Sequence, residues 1–449
     1  MIISKVNTKL IYKHNNRFEG KHYLNNSSYL SLQLENNEKQ CCALSSLAEV
    51  FNPPVFKRQF CKNTPRAVPY FQSSDVQAAS ERSTVYIYKG QAQSLNLLVK
   101  ENDILVTGFG TIGNTRLVSK FQNGACYANN VCRIRTTEHT GFIYAFISGK
   151  YGKAQLNTNA SGSVVRYIES PGIKKILVPI FPDTFQQEVD DLIQKSARLR
   201  EEASDALEYA IGYFDTLFLM PFKESCLGKV SSKEILTSIN KRFEAFFHIS
   251  EGKDIDKYIK EHYEWKSLGE VCSNISRPDI FKRYYVKKGI TFLGGADIFL
   301  ATPDSEKRLS SKKTANIEAL MIKEGTILLP RSGTIGNVAW AHAGHAQKLA
   351  SEDVIRITPN DILRAGYVYA FLASKYGKKL IQRYIFGSVI QHVEPPHLKL
   401  IPVPIIDKKV MDDIHDKVMV YSSAMGKAIE YERKAITMVE QEIEKWNKY

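Results

Sequence analysis

The chain lacks any apolar run approaching the ~18 residues of a membrane span. Its first residues, MIISKVNTKLIYKHNNRF, have neither the apolar core nor the small-residue cleavage site of a secretory leader. Together these point to a cytoplasmic protein that makes no use of a membrane. Cysteine is sparse: seven in 449 residues, an odd number, scattered singly apart from Cys41 and Cys42. With no C-x-x-C pair and no Cys/His cluster at zinc-ligand spacing, disulfides and structural metal are not expected, and the thiols read as ordinary, many of them buried. Acidic residues are also short, 47 against 61 Lys and Arg, which leaves a formal charge of +14. Such an excess attracts polyanions, of which nucleic acid is the commonest in the cytoplasm. A merely basic soluble protein fits that charge as well.

Catalytic signatures are missing too. The stretch GFGTIGN (108–114) is not followed by the Lys-Ser/Thr of a phosphate-binding loop, and no Gly-rich cofactor loop follows a strand. Asn52-Pro53-Pro54-Val55 resembles the motif that holds a target adenine in amino-methyltransferases, but its fourth position is Val55 rather than an aromatic, so it reads as a turn. Acidic residues in RPDI (277–280), TPDSEK (302–307) and IIDKK (405–409) make no set that would gather around a metal. No active site is expected in this chain.

What the chain does contain, it contains twice. NNRFEGKHY answers NKRFEAFFH, SLAEVF (46–51) answers SLGEVC (267–272), and PVFKRQF (54–60) answers DIFKRYY (279–285). VPYFQSSDV (68–76) pairs with ITFLGGADI (290–298), and LLVKENDILVTGFGTIGN (97–114) with LMIKEGTILLPRSGTIGN (320–337). NNVCRI (129–134) then matches EDVIRI (352–357), IYAFISGKYGK (143–153) matches VYAFLASKYGK (368–378), and SGSVVRYIESPGIKKILVPI (161–180) matches FGSVIQHVEPPHLKLIPVPI (386–405). The register drifts by only a few residues, which marks a tandem duplication. The segments 25–40 and 250–266 differ between the copies, and loops or partner-docking segments both fit them.

Each copy alternates short β-type runs (ILVTG, TILLP) broken by Gly-rich turns with stretches of helical spacing (GFIYAFISGKYGKAQL, GYVYAFLASKYGKKLI). Each then passes a Pro-bounded strand into a long proline-free helix, with Asp183 after Pro182 as the expected N-cap of the first. Apolar residues recur at three-and-four spacing at Val189, Leu192, Leu199, Ala203, Ala206, Ala210 and Leu217, and again at Ile414, Val418, Tyr421, Met425, Ala428, Ala435, Val439 and Ile443. Such narrow seams favour a paired coiled coil over two helices packed separately on their own domains. At 1.5 Å per residue ~37 residues span roughly 55 Å, the length of roughly 16 base pairs. The expected fold is α+β: two tandem mixed α/β domains (1–182 and 221–406), each followed by a helix (183–220 and 407–449), the helices forming an antiparallel coiled coil.

This order of parts resembles the specificity subunit of type I restriction–modification enzymes over nearly the whole chain. The resemblance rests on KENDILVTGFGTIGN and KEGTILLPRSGTIGN, then on SGSVVRYIESPGIKKILVPIFP and FGSVIQHVEPPHLKLIPVPIID, each running into a helix. The RFEG and RFEA openings are also similar to specificity chains of type IIB and IIG systems. The resemblance implies a non-catalytic subunit whose two target-recognition domains each read half of a split sequence in double-stranded DNA. It implies two docked methyltransferase subunits that bring S-adenosylmethionine, this chain holding no cofactor itself, with or without a motor-nuclease subunit that joins them for cleavage. A stand-alone tandem DNA-binding regulator is the rival reading.

Residues expected at the DNA follow from position and divergence. In the shared turn, Thr111, Thr334, Asn114 and Asn337 fit phosphate approach, while Gly110, Gly113, Gly333 and Gly336 also fit a purely structural tight turn. Thr107, Arg116, Arg331 and Ser332 differ between copies, as base-reading residues for unlike half-sites must. So do Arg166 and Tyr167 against Gln391 and His392. Arg331 suits guanine and Gln391 adenine through bidentate bonds. Lys57, Arg58, Lys282 and Arg283 recur in both copies, which suits phosphate contacts or a solvated basic face.

Overall fold

The computed structural model describes residues 8–13, 18, 20–23, 25–162, 165–219 and 228–446, so Arg17 and Glu19 of the RFEG opening lie outside the described residues. The chain divides into two compact units: Met1–Glu201 with Lys427–Tyr449, and Glu202–Gly426. Content is mixed α and β in both.

In the first unit a four-stranded antiparallel sheet runs in the order Ala48–Phe51, Val131–Thr136, Ile104–Thr107, Thr115–Leu117. Successive side chains on a strand point to opposite faces, and here both faces are covered. Ile104 and Val106 enter a core with Val50, Ile134 and the helical Phe142 and Phe146, while Leu105 enters a second core with Tyr70, Ile87 and Tyr127. That second core is backed by a smaller sheet ordered Phe60–Cys61, Tyr86–Tyr88, Ala67–Phe71, Cys126–Tyr127. Burial on both faces explains why ILVT reads as a continuous apolar run rather than an alternating one. The second unit repeats the plan with Cys272–Ser276, Val354–Pro359, Ile327–Pro330 and Ala339–Trp340, and a smaller sheet of Arg308–Leu309, Tyr285–Leu293 and Leu349–Ala350.

The expected long helical stretch is two helices in each unit, Thr140–Ser148 and Lys150–Thr158, then Ala365–Ala373 and Lys375–Arg383, broken at Gly149 and Ser374. The two segments left open as loops are largely helical. Asn26–Asn36 buries Ser28, Ser31 and Leu34, with Ser31 Oγ 3.0 Å from Thr158 Oγ1. Glu251–His262 buries Gly252, Ile255 and Ile259, and Asp256 lies 3.5 Å from Arg383.

The central helix spans Asp183–Leu217 and the C-terminal helix Lys408–Lys445. The first of these corrects the capping expectation: Pro182 supplies the carbonyl that accepts from the Phe185 and Gln186 amides, so Asp183 is the first helical residue and its carboxylate bonds His139 instead. At the start of the second, Asp407 does cap, accepting from the Lys409 and Val410 amides. Of the proposed seam, all but Leu199 and Leu217 are buried. Within the first unit Ser196 Oγ donates to the Ala428 carbonyl at 2.8 Å and Arg200 pairs with Glu432 at 2.5 Å. Within the second, Phe214 lies against Tyr367 and Phe371, and the Lys417 ammonium sits over the Tyr209 ring.

One duplicated feature is not apparent from the sequence. Arg133 and Arg356, in the matching strands VCRIRT and VIRITP, are buried, and among the described residues neither is ion-paired with a carboxylate. Arg133 donates to the carbonyls of Leu97, Tyr127 and Val131, and Arg356 to those of Leu320, Ala350, Ser351 and Val354. Burial pushes each guanidinium down to about 10, but both remain cations at neutral pH. They tie the central sheet of each unit to the smaller sheet, at Tyr127 and Ala350.

Candidate nucleic-acid interface

The repeated turn is built identically at its glycines. Gly110 and Gly113 have φ of 74° and 86°, and Gly333 and Gly336 of 77° and 100°, which L side chains rarely adopt. In the first unit Thr107 clamps the turn: its Oγ1 donates to the Thr111 carbonyl at 2.5 Å and accepts from the Asn114 amide at 3.0 Å. Only 2 % exposed, Thr107 is a turn staple rather than a base reader. Thr111, Thr334 and Asn337 are exposed and Asn114 is half-buried, so the polar tip of the turn does face solvent.

A second hairpin lies against this turn in both units. Ser161 and Tyr167 exchange backbone hydrogen bonds, as do Phe386 and His392. Gly162 and Gly387 adopt φ of 89° and 102°, and a Cβ on either would collide with the carbonyl oxygen of Val165 or Ile390. Bridges then join turn to hairpin, Phe109 to Tyr167 and Ser332 to His392. Residues far apart in sequence, 109 with 167 and 332 with 392, thus form one surface in each unit, and the two copies carry different side chains on it.

In the first unit that surface carries an aromatic pair, Phe109 and Tyr167, stacked at 5.4 Å and each 37 % exposed. Arg166 is exposed beside it and donates to the Asn157 carbonyl. In the second unit the same place holds a polar network. Arg331 donates to Glu394 at 2.8 Å and lies 3.4 Å from Asp353 and 3.2 Å from His392 Nδ1. Ser332 donates to Asp353, and Arg277 also reaches Glu394 at 3.2 Å. Desolvation works against the Arg331 charge, but the two carboxylates outweigh it and hold its pKa above the ordinary value. Arg331 is therefore a preorganised, partly shielded donor rather than a free one. Gln391 is exposed at the hairpin tip.

Several expected contacts are placed elsewhere. Arg116 is 6 % exposed, paired with Glu81 at 2.6 Å and bonded to Gln122 and to the Ala78 carbonyl. It locks a loop inside the second core, and burial in that pair leaves it no face toward a ligand. Arg58 donates to Tyr70 Oη at 2.5 Å, and Arg283 pairs with Glu352 at 2.6 Å over the Phe292 ring. Lys57 is exposed, and Lys282 is exposed with its ammonium 5.3 Å from the Tyr284 ring centre. Asn52 staples the loops, donating to the Asn129 carbonyl and accepting from the Ser170 amide, which agrees with its reading as a turn residue. Asp353 and Glu394 carry no expectation from the sequence; the signal for Asp353 is the divergence of EDV (352–354) from NNV (129–131), whereas Glu394 aligns with an identical Glu169 and diverges from nothing.

Among the described residues no group of His, Cys, Asp and Glu is arranged to hold a metal ion, and no helix is long and apolar enough to cross a membrane.

A family model described as the type I restriction modification DNA specificity domain matches this chain twice, over residues 36–198 and 260–416. Solved structures similar to it include a type I restriction–modification S subunit from M. genitalium, at 13% identity over 90% of this chain and 94% of that one, TM-score 0.36. The HsdS subunit from Thermoanaerobacter tengcongensis follows at 14% identity, 89% and 95% coverage, TM-score 0.28. A third, from a structural account of complex assembly and conformational transition of the type I R-M system, has 15% identity, 90% and 97% coverage and TM-score 0.29. No curated protein sequence matches the chain.

Proposed function

The chain belongs to the type I restriction modification DNA specificity domain family, with two copies of that domain, and from this premise we propose that it is a specificity subunit reading a bipartite target in double-stranded DNA. Each turn-and-hairpin surface takes one half-site. The observation that carries the proposal is one backbone scaffold built twice with unlike side chains: Phe109, Arg166 and Tyr167 against Ser332, Gln391 and His392, with Arg331 replacing Gly108. Phosphate contacts position a protein, whereas base-edge contacts specify. A duplicated scaffold with divergent tips supports two readers of different sequence. An aromatic pair suits apolar contact with a thymine methyl, while Arg331 suits guanine and Gln391 adenine.

The long helices act in this reading as an antiparallel spacer that sets the gap between half-sites and docks the partners. Their buried seams and the contacts of Ser196, Arg200 and Glu432 support it. Two methyltransferase subunits bring S-adenosylmethionine and do the adenine chemistry, this chain contributing recognition without catalysis, with or without a motor-nuclease subunit that joins for cleavage.

The test is adenine methylation across the host genome, read by single-molecule sequencing with and without the gene. Loss of methylation at one split motif with a fixed gap is the expected result. An unchanged pattern in cells that express the protein would overturn the proposal and favour a stand-alone DNA-binding regulator.

A further inference from the structure

In the smaller sheet of the first unit, Ile87 is paired on one side with Phe60 and on the other with Val68. The strand Tyr86–Tyr88 thus lies between Phe60–Cys61 and Ala67–Phe71, and the connection 62–66 has to cross its end. In the second unit Leu309 is paired in the same double fashion with Tyr285 and Ile290, so residues 286–289 leave the ladder and return. Residues 62–66 and 285–289 are exposed without exception. The two stretches do not align in sequence, since CKNTPRA and VKKG share neither length nor order. The topology does align them.

Both excursions are basic. The first carries Lys62 and Arg66 and the second Lys287 and Lys288, with no acidic residue in either. Among the described residues none of these four cations is ion-paired. The contrast with the neighbouring arginines decides the matter: Arg116, Arg283 and Arg331 are matched by Glu81, Glu352, and Glu394 with Asp353. A cation already neutralised gains little from a phosphate, whereas an unmatched, hydrated one keeps its full attraction. Position supports the same occupant. Arg283 stands three residues before the second excursion and pairs with Glu352, the neighbour of the Asp353 that holds Arg331 and Ser332 of the repeated turn. The root of the excursion is therefore tied to the surface of divergent side chains.

We propose that the two excursions are phosphate-binding arms that grip the DNA backbone beside each half-site, irrespective of its sequence. The proposal rests on the specificity-subunit reading. It also explains what the copies conserve: charge is kept while length and order drift, as suits a partner that presents charge rather than a base edge. These arms join Arg58, which among the described residues bonds only the neutral Tyr70 hydroxyl, while Arg283 is already matched by Glu352.

The test compares the full chain with K62Q/R66Q, K287Q/K288Q and the quadruple variant, by fluorescence anisotropy on a duplex carrying the methylated motif and on a scrambled duplex. Affinity is followed against salt. Each phosphate that is no longer neutralised lowers the magnitude of the log–log salt slope by about 0.9. The quadruple variant is expected to lose roughly three to four units of slope, to weaken on both duplexes by the same factor, and to methylate the same motif in cells. An unchanged slope, or weakening confined to the motif duplex, would overturn the arms. A wild-type chain that does not distinguish the two duplexes would instead sink the specificity reading, while the slopes on either duplex still decide the arms.

Discussion

Arginine chemistry separates the residues of this chain into three roles. Arg133 and Arg356 hold backbone carbonyls in the core, Arg116 and Arg283 are paired with carboxylates, the first of them buried, and Arg331 is held by acceptors at the candidate DNA surface. The first role is the most demanding, because a buried carbonyl left without a donor costs about 1–3 kcal/mol. Arg133→Ala orphans the carbonyls of Leu97, Tyr127 and Val131 and opens a cavity in a side chain's place. It is expected to destabilise the first unit by about 3 kcal/mol or more, read as a lowered urea midpoint. A midpoint equal to wild type would show that water or a shifted loop satisfies those carbonyls, and would end the account of Arg133 as a structural clamp.

At the scale of elements, helices meet through specific polar contacts as well as apolar seams. Glu432 of the C-terminal helix accepts from Arg200 of the central helix and from Tyr144 Oη at 2.6 Å. Burial opposes its charge, but the Arg200 guanidinium and the hydrogen bonds from Tyr144 and Arg200 prevail and hold its pKa below the ordinary carboxylate value. A carboxylate lowered on folding contributes stability that is present above its unfolded pKa and lost as pH falls through the folded one. Glu432→Gln is therefore expected to unfold more easily than wild type at pH 7, with the gap closing as the pH drops below about 4. Thermal melts of both proteins across about pH 3–8 check this, and a gap that widens in acid would contradict it. The helix Asn26–Asn36 shows why some elements were illegible. Its buried face is made of Ser28, Ser31 and Leu34, small residues that let another helix approach closely but score as polar in any pattern of apolar spacing. The helix Glu251–His262 hid its Ile255 and Ile259 among charges in the same way.

For the whole molecule, the proposed reading of a bipartite target has its two halves read separately. Each tip is described within its own unit: Arg166 bonds Asn157 in the first, and Gln391 stands exposed in the second. Gln391→Ala is expected to relax one base position in one half of the methylated motif, at about 1–3 kcal/mol of discrimination, and to leave the other half and the gap unchanged. Arg166→Ala does the converse. Methylome sequencing of strains carrying each variant reads this directly. Changes that appear in both half-sites for either variant would refute independent reading.

The sequence by itself determined the tandem repeat, the mixed α and β content, the two long helices and the glycines of the repeated turn. Each of these depends on local periodicity or on backbone angles that only glycine tolerates, and both are written in neighbouring residues. It also carried the resemblance that the family match bears out. Only the tertiary structure decided which cations are free. Arg116 meets Glu81 from 35 positions away, and Arg331 meets Glu394 from 63. Ion pairing across such separations depends on how strands and loops are brought together, so no local pattern distinguishes a spent arginine from an available one. The basic excursions were hidden for the same reason: a shared place beside Ile87 or Leu309 is a property of strand pairing, and it survives where the sequences of the two copies no longer align.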